Sequence, residues 1–130
     1  MTALDGIRVL DFSRVLAGPY CTLVLGDLGA EIIKIENPQG GDDTRGFNVS
    51  PTLDFSTYFL AVNRNKKSVA IDIRTMEGRD AIRAMAVNAD VVIENYRSGV
   101  MERYGIGYED LSRINPRLVF ASVSAYGRDG

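Results

Sequence analysis

Residues 7–36, IRVLDFSRVLAGPYCTLVLGDLGAEIIKIE, carry the reading that decides the fold. Ile7-Arg8-Val9-Leu10-Asp11-Phe12 is a short β-prone run. Pro19 suits the first turn of a helix, where its missing N–H has no partner to lose. Residues 19–28 then form that helix, and Gly29 suits its C-terminal cap. Glu31-Ile32-Ile33-Lys34-Ile35-Glu36 reads as a second strand. Strand, helix and strand within about thirty residues have the size of a βαβ unit.

The same alternation continues outward. Asn37 to Thr57 is rich in Gly, Asp, Pro, Ser and Thr and reads as a long loop, a kind that is often functional. A short helical piece is expected at 55–62 and a third strand at 68–73. Thr75 is an N-cap candidate, with Glu77 in the first turn where the helix dipole favours negative charge. Ile82, Met85, Ala86 and Ala89 follow at helical spacing and make one apolar face. Asp90–Glu94 reads as the fourth strand. Short helices are expected at 98–104 and 108–114, Asn115-Pro116 stops the second, and Leu118–Val123 is the fifth strand. Strands alternating with helices predict an α/β fold, a doubly wound parallel sheet covered on both faces. No linker divides the chain. The last strand runs into Ser124-Ala125-Tyr126-Gly127-Arg128-Asp129-Gly130, a turn with nothing after it, which reads as truncation.

Composition narrows the chemistry. A chain of 130 residues is enough for one compact domain. Net charge is −2, so no general attraction to nucleic acid or to an anionic membrane is expected. The chain has no His and one Cys, Cys21. That excludes a Ser-His-Asp or Cys-His nucleophile system built from these residues, argues against a metal site, and rules out an intrachain disulfide. No apolar run approaches the roughly 18 residues of a membrane span. The N-terminus has neither signal-peptide nor transit-peptide character, so cytoplasmic location is the expectation.

In open α/β sheets, ligands bind at the carboxyl ends of the strands, near a switch in strand order. Four segments qualify: Ser13–Gly18, Asn37–Arg45, Arg74 with its neighbours, and Asn95–Arg103. No G-x-G-x-x-G follows the first strand and there is no Walker A sequence, so phosphates would need side chains to hold them. Arg64, Lys66, Lys67, Arg74, Arg97 and Arg103 could do so, or could be solvated surface charges. Tyr96 and Tyr126 could stack on a base or simply pack. Cys21 reads as an inert residue within the first helix. Asp42-Asp43 reads as turn residues, and Asp72 and Glu94 as solvated strand ends. From the residues alone the chain is a ligand-binding α/β unit of unspecified ligand.

Ordered blocks of sequence go further. Val9–Tyr20, Leu25–Glu36, Gly41–Arg45, Asn63–Ser68, Asp90–Tyr96, Asn115–Leu118 and Ser122–Gly127 resemble, in order and spacing, the opening of the class III CoA-transferases. The resemblance spans essentially the whole chain. It implies a Rossmann-like, CoA-binding N-terminal half, two chains interlocked in a homodimer, and no tightly bound cofactor. CoA and acyl-CoA enter as substrates, with a carboxylic acid as acceptor. It implies an Asp nucleophile that forms an anhydride and then an aspartyl-CoA thioester, lying beyond residue 130. No residue of this chain is therefore expected to be catalytic.

By matching position, Val15, Leu16 and Ala17 would line the thiol end of CoA. Asn37 stands where formyl-CoA transferases have an Arg near the adenine. Ile71, Ile73 and Arg74 would contact the adenosine part, and Asn95, Tyr96, Val100 and Arg103 the nucleotide and diphosphate. Leu16, where formyl-CoA transferases have Gln, argues against an oxalate-type acid. Gly41–Arg45, Ser56–Phe59 and Asn63–Ser68 look most like succinyl-CoA:glutarate transferases, which use dicarboxylic acids. Two alternatives are a racemase resembling alpha-methylacyl-CoA racemase, working through a His and an Asp, and a non-catalytic CoA-binding module. The resemblance also implies that later parts of the chain complete this unit, so apolar surface is expected to be exposed without them.

Overall fold

Val9 and Leu10 are both fully buried, yet as neighbours in a strand they point to opposite faces of the sheet. Both faces must therefore be covered. In this computed structural model, which describes residues 1–48 and 54–127, they are. Residues 49–53 of the expected long loop, and Arg128-Asp129-Gly130 of the terminal turn, lie outside the described residues.

The strands are β1 (Arg8–Asp11), β2 (Glu31–Glu36), β3 (Lys66–Ala70), β4 (Val91–Glu94) and β5 (Val119–Ser122). They pair in the order β3-β2-β1-β4-β5, every pair parallel. The helices are α1 (Ala17–Asp27), α2 (Thr57–Asn63), α3 (Met76–Ala86), α4 (Val100–Arg103) and α5 (Tyr108–Ile114). The chain winds one way from β1 to β3 and the other way through β4 and β5, so the order reverses beside β1. That is the doubly wound topology expected, with its switch point between β1 and β4.

Alternation sorts the core. Leu10, Phe12, Ile35 and Val92 pack on one face with Ile82 and Ala86 of α3, Met101 of α4 and Leu111 of α5. Val9, Ile32 and Ile93 pack on the other with Ala30 and Leu25. The local signals act as read. Thr75 Oγ1 accepts the Gly78 N–H at 3.0 Å as an N-cap. Gly78 must be glycine, because a Cβ there would sit 2.0 Å from the Asp72 carbonyl oxygen. Gly29, at φ +103°, follows α1, where Ala30 N–H reaches the Leu25 carbonyl and Gly29 N–H that of Gly26. These two bonds make a Schellman motif.

Three expectations change. The third strand lies at 66–70 rather than 68–73. Asn65, at φ 63°, turns the chain into β3 directly after α2, so pairing begins earlier. It ends early because, after the Ile71 N–H bonds the Glu36 carbonyl at the end of β2, the turn closed by Thr75 N–H to Asp72 carbonyl takes the chain out of the sheet. The loop after β2 holds a 3-10 turn at Asp43–Gly46, capped by Asp42. Cys21, read as an inert and buried type, is exposed on α1. On the same helix Tyr20, Val24 and Leu28, four residues apart, are 57%, 43% and 45% exposed, an apolar stripe beside the buried face. Among the described residues no helix is long and apolar enough to cross a membrane.

Candidate functional site

The carboxyl ends of β1 and β2 carry charge where apolar residues would be expected. Asp11 and Lys34 are register partners, both on the face of Val9 and Ile32, and both at most 1% exposed. Burying such groups is costly unless each is paired and hydrogen-bonded. Asp11 Oδ2 accepts from Thr22 Oγ1 at 2.6 Å and from Lys66 Nζ at 3.1 Å. Its Oδ1 accepts the Ser13 N–H at 2.9 Å and the Ser13 hydroxyl. Lys66 Nζ also donates to the Pro19 carbonyl and to Asn63 Oδ1, both at 2.9 Å. Burial pushes the Lys66 ammonium below the ordinary lysine range, with Asp11 opposing that shift.

Lys34 turns the other way. Its Nζ donates to the Ser13 carbonyl at 2.7 Å and faces Asp42 Oδ2 at 2.9 Å, an ion pair off the hydrogen-bonding direction. Burial raises the Asp42 carboxyl, but the Thr44 N–H and Lys34 outweigh burial and hold it below the usual range. Glu36, at the end of β2, accepts from Arg45 Nε at 2.7 Å, Arg45 Nη2 at 2.6 Å, Ser68 Oγ at 2.6 Å and Asp42 N–H at 2.9 Å. Burial alone would raise its pKa. These donors, Arg45 foremost, bring it down to about 2.

Above these buried charges runs the loop from β1 to α1. From the Ser13 carbonyl to the Val15 N–H, its backbone groups are bonded by side chains from distant parts of the chain. Arg14 N–H donates to Asn95 Oδ1 and Arg14 carbonyl accepts from Asn95 Nδ2, both at 2.8 Å. Val15 N–H donates to Asp42 Oδ1 at 3.3 Å. Val15 itself has φ 69°, a left-handed conformation. For a β-branched residue this costs about 1–3 kcal/mol and persists only where surroundings enforce it. Gly18 lets α1 start against this loop, since a Cβ there would lie 2.2 Å from Ser13 Cβ.

Beside the loop is a cleft of about 200 Å³. It is lined by the end of β2 with Asn37, Gly41 and Asp42, by Tyr96, Val100 and Tyr104, and by Ile71, Asp72, Ile73 and Arg74. Arg14 reaches over it, 5.5 Å from the Tyr96 ring centroid, with Nη1 3.3 Å from Asp43. Burial raises the Tyr96 phenol above its ordinary range. Arg74 grips Asp72 through Nε and Nη2, each at 2.8 Å, which holds the Asp72 carboxyl at about 2. The cleft thus offers an aromatic face, apolar side chains and two arginines, the elements needed to hold a nucleotide-like ligand.

Of the residues singled out from sequence, Asn37, Ile71, Ile73, Arg74, Tyr96 and Val100 come together along this cleft. Val15, Leu16, Ala17, Asn95 and Arg103 are not part of its lining. Val15, Leu16 and Ala17 are exposed at the start of α1, and Arg103 is exposed at the end of α4. Asn95 is joined to Arg14 as described. Lys66 is no surface charge, because its side chain is 1% exposed. Asp42 is more than a turn former, being fully buried against Lys34. Glu94 is 8% exposed, not solvated, and accepts the Tyr96 N–H at 2.8 Å. Asp11 and Lys34 were missed. Their signal was a charge inside each of two otherwise apolar strand stretches, Val9–Phe12 and Ile32–Ile35.

The profile of CoA-transferase family III matches residues 4–130. A mouse (Mus musculus) protein, succinyl-CoA:glutarate CoA-transferase, is 48% identical over 130 residues, which is 100% of this chain and 30% of the relative. The crystal structure of Rv3272 from M. tuberculosis, orthorhombic form, superposes with a TM-score of 0.93 at 46% identity, covering 99% of this chain and 36% of that one. A CAIB/BAIF family protein from Brucella suis also gives 0.93, at 44% identity over 99% of this chain and 35% of that one. The chain therefore spans about a third of the length of the proteins it matches. With the profile matching all but the first three residues, and the fold shared at this identity, the chain belongs to CoA-transferase family III.

Proposed function

We propose that this chain is the N-terminal, CoA-binding part of an enzyme that moves CoA from an acyl-CoA to a carboxylic acid. One observation supports this most directly: in a chain of this family, a cleft with an aromatic wall and two arginines lies at the carboxyl ends of the strands. The adenosine part of CoA would rest among Ile71, Ile73, Arg74 and Asn37. Tyr96, Val100 and Arg103 would flank the diphosphate. The thiol end would reach Val15, Leu16 and Ala17.

The acids beside the cleft are already engaged. Asp42 is bound to Lys34 and Thr44, Glu36 to Arg45 and Ser68, and Asp72 to Arg74. On the resemblance to the class III CoA-transferases, the nucleophile would be an Asp beyond residue 130. Its carboxylate would add to the thioester carbonyl and expel CoA thiolate, giving an acyl-aspartyl anhydride. The thiolate would then attack the aspartyl carbonyl and release the donor acid, leaving an aspartyl-CoA thioester. The acceptor carboxylate would then add to the aspartyl carbonyl and expel CoA thiolate, giving a second anhydride, and the thiolate would attack the acceptor's acyl carbonyl to form the new acyl-CoA and free the Asp carboxylate. Dicarboxylic acids are the favoured acceptors on the likeness of Gly41–Arg45 and Asn63–Ser68 to the succinyl-CoA:glutarate branch. The reading includes a cytoplasmic homodimer.

The deciding experiment incubates the full-length protein with succinyl-CoA and a panel of mono- and dicarboxylic acids. New acyl-CoA is expected with glutarate or a similar dicarboxylate. Absence of CoA exchange with every acid rejects the transfer chemistry, and α-proton exchange without CoA transfer would indicate a racemase instead. A second measurement addresses the diphosphate. Arg103→Ala is expected to weaken CoA binding by calorimetry at least roughly tenfold, the loss of one charge-assisted hydrogen bond of about 1.5 kcal/mol. Unchanged affinity would remove Arg103 from the site.

A further inference from the structure

We infer that Asn95 is a positioning residue, which with Asp42 holds Val15 in its left-handed conformation and so sets where Val15–Ala17 meet the reacting thioester. The inference rests on the CoA-transfer reading for what the loop faces, and on the hydrogen bonds for how the loop is held.

The switch point lies between β1 and β4, where the order of the sheet reverses. Asn95 follows β4 on one side, and Asp42 follows β2 on the other. Each reaches to the β1–α1 loop between them. Asn95 uses both ends of its amide on a single residue, donating to the Arg14 carbonyl and accepting from its N–H. That fixes the peptide plane on each side of Arg14. Asp42 then fixes the next N–H, that of Val15. Asp42 cannot drift, because Thr44 N–H and Oγ1 bind the same oxygen, at 3.0 and 2.8 Å, while Lys34 faces the other. Lys34 also holds the Ser13 carbonyl.

Four consecutive backbone polar groups are thus bonded by side chains, and the residue they lead to has the costly φ of 69°. A loop needing only to connect β1 to α1 would be satisfied by relaxed backbone. A strained residue that is clamped from both halves of the sheet is what preorganisation for a reacting group requires. The side chain of Asn95 acts through the backbone of Arg14 and Val15, so its removal should disturb alignment more than affinity.

The test uses full-length protein carrying Asn95→Ala or Val15→Gly. Glycine accepts φ 69° without steric cost but no longer confines the backbone there. Both variants are expected to lower kcat roughly 10- to 100-fold, the effect of about 1 Å of misplacement, with KM for acyl-CoA changed less than about threefold. Val15→Gly should melt at or above the wild-type temperature. Amide hydrogen exchange at Arg14 and Val15, slow in the wild type, should quicken in Asn95→Ala whether or not the protein transfers CoA. Both variants keeping kcat within about twofold of an active wild type would overturn the inference. So would unchanged amide protection, or a loss carried by KM alone, which would make Asn95 a direct ligand contact. A wild type that protects these amides but exchanges no CoA would overturn the transfer reading and with it the role given to the loop, while leaving the clamp itself established.

Discussion

Asp11→Ala is expected to destabilise the protein by about 3–5 kcal/mol, the cost of leaving one member of a buried ion pair without its partner. Asp11 and the Lys66 side chain are 0% and 1% exposed, so water cannot replace the lost carboxylate. The Lys66 ammonium would keep only the Pro19 carbonyl and Asn63 Oδ1. Thr22 and Ser13 would lose their shared acceptor as well. The variant would also favour a neutral lysine, since burial already lowers the Lys66 pKa. Lys66→Met should cost a similar amount by stranding the carboxylate. The double variant Asp11→Leu with Lys66→Met removes both charges, and recovery of roughly half the loss is expected, because apolar pairs can replace buried ion pairs. Urea unfolding of wild type, both single variants and the double variant gives the cycle. Single-variant losses below about 1 kcal/mol would show that water reaches this pair and that it is not a buried one.

This pair marks the limit of what the sequence discloses. The strand-helix-strand reading of residues 7–36 rests on local signals, and the elements appear within two residues of expectation. Pro19, Gly29 and Thr75 act through their own backbone neighbours, so they can be read without a partner. The third strand was displaced because Val69, Ile71 and Ile73 alternate regularly. Alternation alone does not reveal that Asp72 starts a turn. Asp11, Lys34 and Lys66 are harder. Lys66 is 55 positions from Asp11, and only the parallel β1–β2–β3 register brings them to one face. A lysine in Asn63-Arg64-Asn65-Lys66-Lys67 looks like surface charge unless that register is known. The Arg14–Asn95 clamp spans 81 positions and crosses the switch point, so no spacing rule would find it. The cleft was better anticipated. Strand ends are where α/β folds gather ligand residues, and each of the four segments chosen on that ground contributes to the lining, through Arg14, Asn37, Arg74 and Tyr96 among others.

Glu36 links the stability of this region to pH. Its folded pKa, about 2, lies below the ordinary value of 4.5. A depressed carboxylate pKa means that the unfolded chain binds protons more readily than the folded one. The stabilisation is therefore complete above pH 4.5 and is lost as pH falls from there toward 2. At 1.36 kcal/mol per unit, the difference amounts to about 3 kcal/mol at neutral pH. Asp42, also held low, contributes in the same direction, so acid unfolding alone would not isolate Glu36. Glu36→Gln does isolate it, because glutamine resembles the protonated acid at every pH. The variant should be less stable than wild type by about 3 kcal/mol at pH 7. The gap should narrow steadily below pH 4.5 as the wild-type carboxylate takes up its proton. Arg45, which lies 3.9 Å over the Phe59 ring, would then lose the carboxylate that orients it and keep only the aromatic face. Chemical denaturation of both proteins from pH 7 to the acid limit supplies the comparison. A gap that stays constant across that range would assign the stabilisation to the shape of the Glu36–Arg45–Ser68 contact and not to its charge.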